Sequence, residues 1–472
     1  MFSRRTYPQA WMFAGVIAFA AACGGGDGDK DDAVAGGSSQ GGETSNGDGG
    51  KTNLPDAGEP SETGKGGRNS EGSGGADPVG EGGGNQVPAG GMDGGETKPS
   101  DKFEGVDFEQ LPLEPTEGCD GGFDLDTGAL TLTIDEKSRS LLIDAFEGKL
   151  RANSFVCTAS DQTPADVEAV KSLTIVGTRG SDTLIIDLLE GSLGSSLLGT
   201  AGSINVDLAN GSDKFILRGT EEDDVLGCNG SADNDDNGFD LGGGVDTLTL
   251  SNAESVLMTL GPGNDKFRGA AGDVPCTLPL EIFAGPGTDE LQGGIADDKL
   301  NGGDNYDEFV MGSEADGRDI LNGGEDGDLV SYAERRENVR IELCMAPDKV
   351  GCALATCKCL PNNGEDAEGD VLVNIEDAEG GDGSDQIIGT EDQNELSGRG
   401  GADRIQGKGG DDKIYGDLGD DTLEGGAGDD LFLDRQGSNN LDCGDGLADI
   451  AFIGKLDKVV GKTCEILERS KE

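Results

Sequence analysis

The sequence contains six consecutive nine-residue repeats, without a gap, between Gly380 and Leu433. They read GGDGSDQII, GTEDQNELS, GRGGADRIQ, GKGGDDKIY, GDLGDDTLE and GGAGDDLFL. The sixth place of every repeat holds Asp or Asn, and the eighth place holds one apolar residue. A run that keeps both columns strongly favours a structure that itself repeats every nine residues, which constrains the fold more than any other feature of the chain.

Each column has a physical reason. Glycine in the first half of a repeat allows positive φ and a tight turn, because it has no Cβ to clash. One apolar residue per repeat suits a very short strand that directs a single side chain inward. Aspartate at a turn places hard oxygen ligands beside exposed backbone carbonyls, which is the ligand set that calcium prefers. The pattern therefore predicts short strands joined by turns that bind calcium.

These repeats resemble the GGxGxDxUx nonapeptides of the repeats-in-toxin (hemolysin-type) family, which form a calcium-binding parallel β-helix or β-roll. The resemblance implies two repeats per coil, with calcium held between stacked turns by sixth-place aspartates and turn carbonyls. It places Asp385, Asp403 and Asp421 on one edge, and Asn394, Asp412 and Asp430 on the other. Asn394 departs from the family pattern, so the first site of its edge lacks that carboxylate.

The resemblance extends upstream with looser spacing, so loops between coils and fewer ions are expected there. It implies further metal ligands at Asp182, Asp265, Asp289, Asp298, Asp307, Asp319 and Asp328, with additional sixth-place candidates at Asp213, Asp224 and Asp246.

Charge and composition favour some classes of ligand and argue against others. The six repeats hold 14 acidic and 4 basic residues, a net charge of 4 − 14 = −10, so divalent ions that relieve the repulsion are expected to be part of the fold. The whole chain carries a formal charge of −59, which argues against nucleic acid and against electrostatic binding to anionic lipid. It contains no histidine, which rules out a Ser-His-Asp triad and a histidine-based zinc site and disfavours an enzyme.

The N-terminus predicts export. Arg4 and Arg5 precede an uncharged run from Trp11 to Ala22, too short for a membrane span of about 20 residues and typical of a signal peptide. The run ends in Ala-Ala-Ala before Cys23 and resembles a bacterial lipobox, although Ala20 stands where the pattern prefers Leu. This resemblance implies a lipid on Cys23. Ordinary signal cleavage and a twin-arginine signal are the alternatives.

Export makes the remaining ten cysteines candidates for disulfides, since the compartment is oxidising. The expected pairs are Cys119–Cys157, Cys228–Cys276 and Cys443–Cys464, while Cys344, Cys352, Cys357 and Cys359 pair among themselves. Sequence leaves the connectivity open, and zinc at the last four is an alternative that their spacing disfavours.

The predicted fold is all-β: a parallel β-roll or β-helix solenoid with disulfide-linked ends and a disordered N-terminal tether. The expected segments are a signal peptide at 1–22, a Gly/Ser/acidic tether at 23–118, β-rich first coils or a cap at 119–175, a degenerate calcium-binding solenoid at 176–334, a Cys-rich insert at 335–379, regular nonapeptide repeats at 380–442 and a C-terminal cap at 443–472.

The predicted function is a non-enzymatic surface lipoprotein that binds several Ca²⁺ ions, folds on calcium and has a structural or adhesive role. We expect it to be exported and lipid-anchored to the bacterial outer membrane or cell surface, touching the membrane only through its lipid and binding no nucleic acid. Its protein or glycan partner is not identified by the sequence. The alternatives are a calcium-dependent, lyase-like enzyme acting on polysaccharide, and a secreted toxin or effector.

Overall fold

The computed structural model describes residues 116–469, apart from 190, 232–235, 271–273, 346–362, 365–367 and 463. The predicted signal peptide, Cys23, the tether up to residue 115, and Cys352, Cys357 and Cys359 lie outside the described residues. Thr116 already belongs to the folded part, because its hydroxyl donates to the carbonyl O of Thr133 at 2.8 Å. Among the helices of the described part, none has the length and apolar character needed to cross a membrane.

The regular secondary structure of the described chain consists almost entirely of short strands. The strands of its first half are β1 Ala129–Thr133, β2 Ser140–Phe146, β3 Lys149–Ala152, β4 Phe155–Val156, β5 Ser172–Val176, β6 Thr183–Asp187, β7 Ile204–Asp207, β8 Lys214–Arg218, β9 Val225–Gly230, β10 Asn237–Asp240, β11 Leu248–Ser251, β12 Ser255–Thr259, β13 Lys266–Arg268, β14 Leu280–Pro286, β15 Glu290–Gln292 and β16 Lys299–Asp304.

The second half continues in the same way. Its strands are β17 Glu308–Val310, β18 Ile320–Glu325, β19 Leu329–Ser331, β20 Arg340–Glu342, β21 Val371–Val373, β22 Asp377–Glu379, β23 Gln386–Ile388, β24 Glu395–Ser397, β25 Arg404–Gly409, β26 Lys413–Tyr415, β27 Thr422–Ala427, β28 Leu431–Asp434, β29 Asn440–Gly444, β30 Ile450–Ile453, β31 Lys458–Val459 and β32 Ile466–Arg469. The helical pieces described are a 3₁₀ turn at Val167–Ala169 and α1 at Ser195–Leu198.

The strands form a two-faced parallel solenoid. One face is a 16-stranded sheet in the order β1-β5-β7-β11-β10-β9-β13-β15-β17-β19-β22-β24-β26-β28-β30-β32. The other face is divided into a 10-stranded sheet, β21-β18-β16-β14-β12-β8-β6-β2-β3-β4, and a 6-stranded sheet, β20-β23-β25-β27-β29-β31. Antiparallel pairing within these sheets is found at β2-β3-β4 and β9-β10-β11. The predicted all-β solenoid is confirmed.

Two nonapeptides make one coil, as the family resemblance implies. In the 6-stranded sheet Gln386 pairs with Arg404, Arg404 with Thr422 and Thr422 with Asn440, so successive coils are 18 residues apart. The eighth-place residues stack inward in two columns and form the core between the faces. The columns are Ile387, Ile405, Leu423 and Leu441 on one face and Leu396, Ile414, Phe432 and Ala451 on the other, all at most 1% exposed.

Disulfides close three parts of the solenoid. The predicted pairs Cys119–Cys157, Cys228–Cys276 and Cys443–Cys464 are all present. Cys344 is also disulfide-bonded. The segment 443–472, for which a C-terminal cap is predicted, contains the parallel strands β30, β31 and β32, and Cys443–Cys464 joins the last turns.

The solenoid is interrupted where the 10-stranded sheet ends at β21 and the 6-stranded sheet begins at β20. A fully buried guanidinium lies nearby: Nη2 of Arg335 donates to Oδ1 of Asp316 at 2.9 Å and to Oε1 of Glu368 at 2.6 Å. The hydroxyl of Tyr332 donates to Oδ2 of Asp370 at 2.8 Å. Arginine thus supplies the positive charge that neutralises buried carboxylates at this point.

Candidate metal centre: two ladders of buried carboxylates

Most predicted metal ligands occupy one structural position, the residue directly before a strand. Asp403 precedes β25, and Asp412 precedes β26. There the carboxylate accepts a hydrogen bond from the main-chain N–H one coil earlier, while the residue's own N–H donates to the carboxylate one coil later. Repetition of this bond links the turns into a ladder along each edge of the solenoid.

The first ladder lies where the chain enters the 10- and 6-stranded sheets. Its N···Oδ1 distances are 2.7 Å from Asp385 to Asp403, 2.8 Å from Asp403 to Asp421, 2.7 Å from Asp421 to Asn439 and 2.9 Å from Asn439 to Asp457. In earlier coils the corresponding bonds are 2.6 Å from Asp182 to Asp213, 2.9 Å from Asp298 to Asp319 and 3.0 Å from Asp319 to Asp370.

The second ladder lies at the opposite edge, where the chain enters the 16-stranded sheet. Its upstream N···O distances are 2.7 Å from Asp224 to Asp265, 2.7 Å from Asp265 to Asp289, 2.9 Å from Asp289 to Asp307, 2.9 Å from Asp307 to Asp328 and 3.0 Å from Asp328 to Oε2 of Glu376. Downstream they are 2.8 Å from Asn394 to Asp412, 3.0 Å from Asp412 to Asp430, 3.0 Å from Asp430 to Asp449 and 3.0 Å from Asp449 to Oε2 of Glu465.

The second carboxylate oxygen of many ladder residues is the feature that points to a ligand. It is buried and has no hydrogen-bond partner in Asp213, Asp265, Asp289, Asp307, Asp328, Asp403, Asp412, Asp421, Asp430 and Asp449. Burying an anionic oxygen without a donor or a cation is costly, so these positions are unfavourable unless a positive charge joins them. By contrast, the second oxygens of Asp182, Asp298 and Asp385 accept main-chain N–H groups within their own turns.

The space beside several of the unpartnered oxygens is also lined by backbone carbonyls. A Cβ built on Gly407 would collide with Oδ2 of Asp412 and lie 2.7 Å from the carbonyl O of Gly425. At Gly425 the equivalent neighbours are Oδ2 of Asp430 and the carbonyl O of Cys443, the latter at 2.7 Å. Glycine therefore keeps open a place lined by hard oxygens, whose chemistry fits calcium.

A cation at each turn would be coordinated by few carboxylates. Within the described residues, no three acidic or sulfur side chains converge as a metal-binding group. A calcium ion would therefore be held by one or two ladder aspartates together with turn carbonyls, which is compatible with its preference for six to eight oxygen ligands.

Burial has a large effect on the ladder carboxyls. Removal from water, reinforced by neighbouring carboxylates, raises the pKa of Asp403 to about 8 and that of Asp412 to about 7. The same causes raise the pKa of Asp319 to about 9 and that of Asp328 to about 8. Without a cation, protons are favoured at these oxygens near neutral pH, and a bound divalent ion would displace them.

Comparison with known families identifies the repeats. The family described as RTX calcium-binding nonapeptide repeat (4 copies) matches residues 281–309, 379–407 and 397–432. The chain carries RTX calcium-binding nonapeptide repeats. Proteins with RTX repeats typically are exported and bind Ca²⁺. No curated protein matches the chain.

The RTX matches cover only part of both ladders. Asp289, Asp298, Asp307, Asp385, Asp403, Asp412, Asp421 and Asp430 lie within the matched segments, whereas Asp182, Asp265, Asp319 and Asp328 lie outside them. All twelve nevertheless occupy ladder positions. Asp246 does not: its carboxylate instead accepts a hydrogen bond from Nδ2 of Asn229 at 2.9 Å.

Sequence reasoning missed several ladder members. These are Glu254, Asp370, Glu376, Asn439, Asp449, Asp457 and Glu465. Asn439 lies 18 residues after Asp421, a spacing that identifies it as the next rung. Glu376 lies 18 residues before Asn394 and is in phase with the repeats, but its surroundings, VLVNIEDAE, lack the glycines of a nonapeptide. Glu254 and Glu465 gave no such signal, because they lie 41 residues after Asp213 and 16 residues after Asp449.

Proposed function

We propose that this protein is a non-enzymatic, calcium-binding surface lipoprotein with a structural or adhesive role, whose solenoid folds on calcium. The observation that carries the proposal is the series of buried, unpartnered Oδ2 atoms along both edges, several of which lie beside turn carbonyls. Several Ca²⁺ ions placed there would neutralise the ladders and add binding free energy to the folded state only.

The ion sites are proposed at the ladder aspartates. The turns of Asp403, Asp412, Asp421 and Asp430 are the best candidates in the regular repeats, and those of Asp265, Asp289, Asp307 and Asp328 are the best upstream. Asp182, Asp298, Asp319 and Asp385 complete the proposed set at the same structural position.

Export and anchoring are the second part of the proposal. Three disulfides in the described chain support an oxidising compartment. We assign the lipid to Cys23, which follows three alanines at the end of the signal-like run. The formal charge of −59 supports a surface that meets the membrane through the lipid alone and avoids nucleic acid.

A calcium titration of the mature chain by calorimetry tests the central claim. We expect several ions to bind with dissociation constants of about 10⁻⁴–10⁻³ M, the range of extracellular calcium modules. Circular dichroism should show β-structure that increases on calcium addition and falls with EGTA. Magnesium should substitute poorly, because it requires a small octahedral site. An equally β-rich spectrum with calcium and with EGTA, together with no heat of binding, would refute the proposal.

A further inference from the structure

The column of first-place glycines in the repeats ends at Asp434. The six repeats begin with Gly380, Gly389, Gly398, Gly407, Gly416 and Gly425. If the nine-residue period is continued, Asp434 takes the first place of a seventh unit, with Asn439 in the sixth place and Leu441 in the eighth. Leu441 is buried and Asn439 is a ladder rung, so this unit is wound like the repeats before it. The coil is therefore preserved, while its first place carries a carboxylate.

The first-place residue contributes to the turn one coil earlier. In the turns of Gly407 and Gly425, the residue 18 positions later presents its backbone carbonyl. These carbonyls belong to Gly425 and Cys443, and each lies 2.7 Å from the position that a Cβ would take. In the turn of Gly416 the residue 18 positions later is Asp434, which presents Oδ2 of its side chain instead.

Two carboxylate oxygens thus face the space beside Gly416. A Cβ built on this glycine would collide with Oδ2 of Asp434 and lie 2.7 Å from Oδ2 of Asp421. Both oxygens therefore lie within 2.7 Å of one point, which is close to the calcium–oxygen bond length of about 2.3–2.6 Å. Because the residue is glycine, no side chain fills this point.

Both carboxylates are buried and held in place. Asp421 is 0% exposed and Asp434 2% exposed. Oδ1 of Asp421 accepts the N–H of Asp403 at 2.8 Å, whereas its Oδ2 has no hydrogen-bond partner. In Asp434, Oδ1 accepts the N–H of Gln436 at 3.1 Å, and Oδ2 accepts Nδ2 of Asn439 at 2.7 Å. A fully buried anionic oxygen that lacks a partner and faces a second carboxylate indicates a place for a cation.

The chain supplies no cation of its own at this point. Within the part of the chain that the structure describes, no Lys or Arg forms an ion pair with Asp421 or Asp434. Arg435 instead lies over the ring of Phe452, 6.0 Å from its centroid. Nη1 of Arg469 donates to backbone carbonyls, that of Asp457 at 2.9 Å being the shorter contact. The negative charge of the two carboxylates is therefore left for a metal ion.

Gly364 provides the contrasting case. A Cβ built there would also meet two carboxylates, because it would collide with Oε2 of Glu368 and lie 2.9 Å from Oδ2 of Asp370. Glu368, however, accepts a hydrogen bond from the buried guanidinium of Arg335, and Asp370 accepts one from the hydroxyl of Tyr332. A carboxylate pair of this kind is thus neutralised by an arginine at one place in the solenoid, and the pair at Gly416 lacks that arginine.

We propose that Asp421 and Asp434 together form the tightest calcium site of the solenoid, with turn carbonyls and water as the remaining ligands. This inference rests on the proposed calcium binding and adds a ligand from outside the sixth-place column. Calcium affinity depends on the number of anionic ligands and on the rigidity of the site. Two fixed carboxylates, compared with one in the turns of Gly407 and Gly425, make this site the first to fill and the last to empty.

Equilibrium dialysis of the mature chain against radiolabelled calcium tests this inference. The free calcium concentration is set about tenfold below the midpoint of the main binding step, where the ordinary turns are mostly empty. We expect the unmodified chain to retain one ion under this condition. A parallel measurement at saturating calcium counts all the ions, and circular dichroism of the same samples checks that each protein is β-rich.

Matched variants locate the tight ion. Asp434→Gly, which restores the residue that the repeats carry at this place, should lose the ion at low calcium and keep the others at saturation. Asp421→Asn should do the same. Asp403→Asn removes a carboxylate from the turn one coil earlier in the same ladder, and Asp382→Asn removes an exposed charge. Both of these controls should retain the tight ion.

The outcomes separate this inference from the proposed function. A tight ion that persists in Asp434→Gly, that is lost equally in both controls, or that is missing from the unmodified chain would overturn the inference, while ions bound at saturation would still support the proposed function. No bound calcium at saturation would refute both. If Asp434→Gly is not β-rich, Asp434→Asn decides the same point, because it removes the charge and keeps the shape of the side chain.

Discussion

At the scale of single residues, the ladder aspartates perform two tasks with their two oxygens. Oδ1 accepts a main-chain N–H and holds successive turns in register, while Oδ2 is left for a ligand. Asn439 shows that an amide oxygen can perform the first task, because it accepts the N–H of Asp421 at 2.7 Å. Exchanging Asp for Asn therefore separates the structural role of a rung from its role as an ion ligand.

This separation leads to the first prediction. The double change Asp403→Asn and Asp421→Asn should preserve the ladder but weaken calcium binding at that edge at least about tenfold, or about 1.4 kcal/mol, because two anionic ligands are lost. Calorimetric titration measures the effect. The control is Asp382→Asn with Asp392→Asn, which removes the same charge from two exposed positions in the first and second repeats. Equal losses in both variants would show that net charge alone attracts the ions.

A glycine at the fourth place of a repeat is predicted to be irreplaceable. Gly401 has φ of +123°, and a Cβ there would collide with the carbonyl O of Gly383. Gly401→Ala should lower the free energy of unfolding by about 1–3 kcal/mol or more, because strain and collision add. Gly400→Ala is the matched control, since its nearest heavy atom would be 3.7 Å away. Denaturant unfolding of the calcium-loaded protein should separate the two, and equal stabilities would contradict the turn geometry described here.

At the scale of strands and turns, the nonapeptide columns and the family resemblance that they carry were together sufficient to predict the fold of the regular repeats. The eighth-place residues do stack inward, and the sixth-place residues divide between two edges as expected. Upstream, loops of unequal length separate the rungs, so no fixed period identified Glu254 or Asp370. In β2 and β6 apolar residues follow one another without alternation, which is typical of strands buried on both faces. The nonapeptide pattern does not include this feature.

The ladders also predict an unusual dependence of stability on pH. Burial raises the pKa of Asp403 to about 8 and of Asp265, Asp307 and Asp412 to about 7, compared with about 3.9 in an unfolded chain. Between those values the folded, calcium-free state binds more protons than the unfolded state. The contribution of these carboxyls to the free energy of unfolding should therefore be fully present below about pH 4. It should be lost as the pH rises to about 8.

Thermal unfolding of metal-free protein between pH 4 and pH 8 checks this prediction. We expect Tm to be highest at the acid end, because protons neutralise the carboxylates that calcium would otherwise neutralise. With saturating calcium the neutral range should be stabilised most, since calcium binds the deprotonated form. A metal-free Tm that increases from pH 4 to pH 8 would contradict the pKa assignments.

At the scale of the whole molecule, anchoring is tested at Cys23. We expect the full-length protein, expressed in bacteria with a fatty-acid probe, to incorporate the probe at this cysteine and to fractionate with membranes. Cys23→Ala should abolish both, while Gly24→Ala retains the cysteine and should preserve labelling. Labelling that persists in the alanine variant at position 23 would disprove the anchor but leave the calcium sites unaffected.

The 18-residue coil also determines how the chain responds to force. A wound coil advances the molecule by one strand spacing of about 4.8 Å, whereas its 18 residues stretch to about 60 Å when pulled straight. Each coil that unwinds under load therefore lengthens the molecule more than about tenfold locally. If the coils fold only with calcium bound, the calcium concentration around the protein sets the length of the molecule under tension. Loss of calcium then lets the molecule lengthen by one unfolded coil at a time.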